Sequence, residues 1–120
     1  MTDLPLILVA LLGIGILIVL PLAYLFATNE ARAFEVSTHR PEKLPKVMVD
    51  RYVAIAVIQL GLIFFGNLEM VAVFCVAAMI MGLGDGLIYK RAGLPHWNHT
   101  QSGLIALAGF VITIYFILAA

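Results

Sequence analysis

Two apolar runs, roughly Val47–Gly66 and Leu68–Tyr89, are separated only by the short turn Gly66-Asn67-Leu68-Glu69. Each is close to the ~20 residues a helix needs to cross a hydrocarbon layer of about 30 Å. A turn that tight makes the two segments antiparallel neighbours. Two further runs, Leu4–Ala27 and Gln101–Ala120, have similar length and character. A helix packed in a soluble core normally keeps a polar stripe, and these runs keep almost none. Backbone groups in lipid must find their hydrogen bonds inside the segment, which makes helices the natural reading. The expected fold is therefore all-α: an integral membrane four-helix bundle, one domain over residues 1–120, with spans at about 4–27, 47–66, 68–89 and 101–120.

Composition fits that class. Apolar residues make up 63% of the 120 and charged residues only 12%, whereas soluble domains carry about 25% charge. Seven Lys/Arg balance seven Asp/Glu, so no basic field is available to hold nucleic acid. Cys75 is the only cysteine, which excludes an internal disulfide and a cysteine-ligated zinc. Ala31-Arg32-Ala33 has the small-x-small form of a signal cleavage site. However, the first run follows Met1-Thr2-Asp3, without Lys or Arg, and is longer than a secretory apolar region. It is expected to stay as a first helix.

The basic residues fall into two groups. Arg32, Arg40, Lys43, Lys46 and Arg51 lie in or beside the first connection; Lys90 and Arg91 lie at the third. The positive-inside bias then puts both connections in the cytoplasm and both termini outside. This predicts a multi-pass protein of the bacterial inner (cytoplasmic) membrane. The first connection, Thr28–Lys46, is broken by Pro41 and Pro45 and is expected either to lie along the headgroups or to act as a solvated linker. Tyr24, Tyr52, Tyr89 and Trp97 fall near the same boundary, as an aromatic belt would.

The third run ends on Gly82-Leu83-Gly84-Asp85-Gly86. Ala78, Gly82 and Gly86 share one helix face in a small-xxx-small pattern and are the expected helix-packing residues. No strand precedes the glycines, so they are not a dinucleotide fingerprint. Arg51 and Asp85 each stand about 17 residues from the turn, roughly 25 Å along their helices at 1.5 Å per residue. A pair at that level would offset the several kcal/mol an isolated charge costs at depth. Gln59 lies deeper on the second helix, Tyr89 shares the face of Asp85, and His99 stands at the foot of the fourth helix. Together Arg51, Gln59, Asp85, Tyr89 and His99 form the candidate ligand-binding or structural ion-pair set.

His96-Trp97-Asn98-His99 offers only two histidines for a metal, and no metal or cofactor is expected. Asn98-His99-Thr100 matches a glycosylation acceptor, but its expected cytoplasmic side leaves it unmodified. No nucleophile triad or pair of acid/base carboxylates can be assembled, so no catalytic residue is assigned.

Several short elements carry a resemblance. They are Ala31-Arg32-Ala33-Phe34 after the first run, Arg51 opening the second, Gly84-Asp85-Gly86-Leu87-Ile88 ending the third, and a histidine before Gly103 opening the fourth. In this order the chain resembles a family of small bacterial four-span membrane proteins of unknown function, related loosely to the DoxX-like group. Gly86 departs from that pattern, in which a larger, more alanine-like residue often follows the aspartate. The resemblance implies a four-helix fold and brings no activity or cofactor.

Two functions follow as expectations. One is a non-catalytic accessory or assembly subunit that works by helix packing, with the lipid bilayer and other membrane subunits, or copies of itself, as partners. The alternative is a small-molecule binding or transport protein with a cytoplasmic-end pocket of Arg51, Asp85 and His99. An enzyme acting on a lipid or quinone would rest on His99 and Asp85 as an acid/base pair and ranks last.

Overall fold

A computed structural model describes residues 5–39 and 41–120. Met1–Asp3, Leu4 and Arg40, on which the expected first span and charge count partly rest, lie outside the described residues. Among the described residues there are five α-helices and no strand. They are α1 (Leu6–Thr28), α2 (Glu30–Ser37), α3 (Leu44–Phe65), α4 (Leu68–Arg91) and α5 (Trp97–Ala119), with a 3-10 turn at Pro41–Lys43. The chain divides into two compact units, Met1–Tyr52 and Val53–Ala120, and the boundary falls within α3.

In the first unit, Asn29 ends α1 and starts α2. Its backbone N–H donates to the Leu25 carbonyl at 2.7 Å, and its side-chain oxygen accepts from the Arg32 N–H at 3.1 Å. Supplying one orphan N–H of a new helix is what an Asn cap does. Phe26 and Phe34 then meet edge to face at 5.3 Å, and Ala33 is fully buried. The first connection, expected to lie along the headgroups or to act as a solvated linker, contains a short helix held to the end of α1. Arg32 and Glu35 pair across its outer face at 2.8 Å.

In the second unit, Gly66 and Asn67 turn the chain between α3 and α4. The turn brings the backbone so close to Leu62 that a Cβ on Gly66 would stand 2.5 Å from that carbonyl oxygen. Asn67 caps α4 by accepting from the Met70 N–H at 2.9 Å, and Glu69 adds a carboxylate to the first turn, where the helix dipole favours it.

α4 and α5 are the close-packed pair. Ala72, Cys75, Gly82 and Gly86 are buried on α4; Gly103 and Thr113 are buried on α5. Met79 is partly buried, and with the buried positions it gives α4 a spacing of three and four residues. The register is antiparallel: Gly82 abuts Gly103, Gly86 abuts Thr100, and Gly109 faces Cys75. A Cβ added to Gly82 would lie 2.5 Å from the Gly103 nitrogen, and one added to Gly103 would lie 2.6 Å from the Leu83 nitrogen. The buried Thr113 hydroxyl donates to the Gly109 carbonyl of its own helix at 2.7 Å, so it enters the seam without an unmet hydrogen bond.

The outer faces of the pair are apolar. Val73, Ile80, Ile105, Tyr115 and Leu118 are each more than half exposed. Among the described residues Pro41–Phe65, Leu68–Arg91 and Trp97–Ala119 are long and apolar enough to cross a membrane. Lipid tails accept such surfaces without a hydrophobic penalty, so close backbone packing has to hold the helices together. The small-residue seam supplies it.

Candidate functional site

The site stands where α4 ends and α5 begins, and a five-residue joint sets its geometry. The Gly93 N–H donates to the Lys90 carbonyl at 3.1 Å and the Leu94 N–H to the Tyr89 carbonyl at 2.9 Å. Gly93 has φ +70°. This is a Schellman ending, in which the left-handed position suits glycine and the last carbonyls of the helix find donors. Pro95 follows, and α5 starts at Trp97 with His96 in the capping position. The fourth apolar run was expected from Gln101. The helix begins four residues earlier because Pro95 ends the joint and leaves the residues after His96 free to wind. His99, expected at the foot of the fourth helix, and Thr100 are thereby both in the first turn of α5.

The seam then places their side chains. Thr100 is one turn before Gly103, and its hydroxyl occupies the space a Cβ on Gly86 would need. The His96 Nδ1 lies 3.0 Å from the same hydroxyl. His99 turns toward α4: its ring stacks on Tyr89, with centroids 4.8 Å apart and planes inclined by 14°. Its Nδ1 stands 3.9 Å from the Asp85 Oδ2. That separation is an ion pair when the imidazole is protonated and is too long for a direct hydrogen bond. The side chains of His99 and Asp85 are 35% and 37% exposed, so both are open to a visitor. Ser102 binds back to the His99 carbonyl at 2.8 Å and steadies that turn.

Of the residues singled out from the sequence, Asp85, Tyr89 and His99 are brought together. Gly82 and Gly86 lie in the seam, and Ala78 is partly buried on α4. Gln59 is exposed on α3. Arg51 belongs to the first unit and is partly buried. Sequence reasoning passed over Thr100 and Gly103 as partners of the glycines. Gly103 and Thr100 stand across the joint from Gly82 and Gly86, but which residue meets which is set by the register between the two helices. His96 and His99 point to different neighbours, and among the described residues no three His, Cys, Asp or Glu side chains converge on a metal position.

An all-helical chain with three helices fit to cross a bilayer, and a polar cluster at one end of a tight helical hairpin, is a membrane protein by class. Its family follows from the match of a family model over residues 9–120: the chain belongs to Domain of unknown function (DUF4267). No curated protein matches it, and no solved structure does.

Proposed function

We propose that this chain is a four-span protein of the bacterial inner membrane that acts as a non-catalytic accessory or assembly subunit through helix packing. α1 would supply the fourth span, since its 23 residues contain no charged side chain. The distribution of Lys and Arg favours termini outside and the basic connections in the cytoplasm. The likeness in motif order to small bacterial four-span membrane proteins, loosely related to the DoxX-like group, supports the same four-helix plan.

The observation that carries the packing role is what the hairpin leaves unused. Gly82, Gly86 and Gly103 are filled by α4–α5 contact, whereas a Cβ on Gly61 or Gly84 would meet nothing within 4 Å. Glycine in a helix interior costs about 0.5–1 kcal/mol relative to alanine, and small residues in membrane helices permit the close approach of another helix. An open apolar groove of about 410 Å³ beside Ile58, Met70 and Phe74 offers further packing surface. The test is the mass of the protein released from its native membrane in mild detergent. A mass well above the 13.0 kDa of one chain, reduced to one chain by Gly84→Leu, supports the role. A lone monomer under every gentle condition overturns it.

A second reading is favoured by the Asp85–Tyr89–His99 cluster: a small-molecule binding or transport protein with a cytoplasmic-end polar pocket. Asp85→Asn then abolishes binding or uptake, and unchanged activity counts against it.

A further inference from the structure

We propose that the Asp85–Tyr89–His99 cluster binds an organic cation, an ammonium-type group on a small apolar body. This rests on the small-molecule reading above and names its ligand class.

The carboxylate is the starting point. A carboxylate accepts hydrogen bonds at two oxygens and donates none. Among the described residues no side-chain or backbone donor is hydrogen-bonded to Asp85, and the one ionisable side chain paired with it is the His99 imidazole at 3.9 Å. In a membrane helix an ionisable side chain so placed points to a function with a definite partner. The partner should bring positive charge. An anion would be repelled, and a neutral molecule would leave the charge uncompensated. A hard metal ion needs several oxygen ligands, while no set of three ligating side chains converges here among the described residues.

The rings make the cation an organic one. Tyr89 is one turn beyond Asp85 on the same face of α4, and His99 covers it from one side at 4.8 Å. Tyr89 keeps 39% of its surface exposed, so ring surface remains beside the carboxylate. A carboxylate next to an aromatic surface suits an ammonium or quaternary nitrogen, which takes charge from one and π-density from the other. The neighbourhood also accepts an apolar body. Ile88, three residues from Asp85, is 66% exposed, and the place of a Gly84 side chain is empty. Thr100 and His96 are engaged with each other at 3.0 Å.

The experiment uses the full chain in lipid nanodiscs and isothermal titration with benzyltrimethylammonium. Benzenesulfonate and benzyl alcohol serve as anionic and neutral probes of similar body. The cation is expected to bind, with affinity roughly tenfold or more weaker in Asp85→Asn and about threefold or more weaker in Tyr89→Leu. Asp85→Glu and Tyr89→Phe should retain binding, as should Glu69→Gln at the far end of α4. If Asp85→Asn does not fold, the Tyr89→Leu and Tyr89→Phe comparison decides. No cation binding, or equal binding by Asp85→Asn, overturns the proposal. Binding of benzenesulfonate or benzyl alcohol that depends on Asp85 refutes the cation while keeping the small-molecule site. Silence from all three probes removes both.

Discussion

Gly82 of α4 and Gly103 of α5 touch backbone to backbone: a methyl group on Gly82 would stand 2.6 Å from the Gly103 Cα. The contact involves main chain, so no rotamer change can relieve an added side chain. The two helices must separate instead.

That relationship fixes the first prediction. Gly82→Val should destabilise the folded chain by about 1–3 kcal/mol, the usual cost of overpacking, and Gly103→Val should do the same. Gly84→Ala, two residues away and facing open space, should gain about 0.5–1 kcal/mol from helix propensity. Unfolding in mixed micelles, followed by circular dichroism, measures both. Equal effects at Gly82 and Gly84 would mean that the seam does not run through Gly82.

The ends of α4 give a second pair. Asn67→Ala removes the acceptor for the Met70 N–H and should cost about 1 kcal/mol. Gly93→Ala meets no neighbouring atom within 4 Å but must hold φ near +70°, so it should cost about 1 kcal/mol through the backbone alone. Gly93→Asn should cost less, because asparagine tolerates that region. The same unfolding assay reads these, and a neutral Gly93→Ala would argue against the Schellman joint.

Orientation is tested by labelling. In a Cys75→Ala background, single cysteines at Glu69 and Arg91 lie at opposite ends of α4. An impermeant maleimide should reach the Glu69 position from outside intact cells and the Arg91 position only after the membrane is opened. Labelling of both from one side would show that α4 does not cross.

The long apolar helices were legible because bilayer thickness imposes a length that any run of about 20 apolar residues displays. The start of α5 was less so. Gln101 is where apolarity begins, but Pro95 and the capping position of His96 set where the backbone winds. The placement of His99 beside Asp85 depended on those few residues. Tyr89 was readable from its one-turn spacing to Asp85, a property of a single helix. Thr100 and Gly103 were not, because their roles come from the register between two helices. α2 was not legible for a related reason: polar sequence around Pro41 suggests a linker, while Asn29 and the Phe26–Phe34 contact hold about two turns of helix there.

The joint between α4 and α5 has a consequence for how the chain tolerates change in length. Loops ordinarily absorb insertions, but here each residue between Arg91 and Trp97 sets the rotational phase of everything after it. One extra residue wound into α5 would turn it by about 100°, carrying His99 off Tyr89 and Gly103 off Gly82 together. Substitution can alter the binding chemistry one side chain at a time, while a single insertion would dismantle chemistry and scaffold at once.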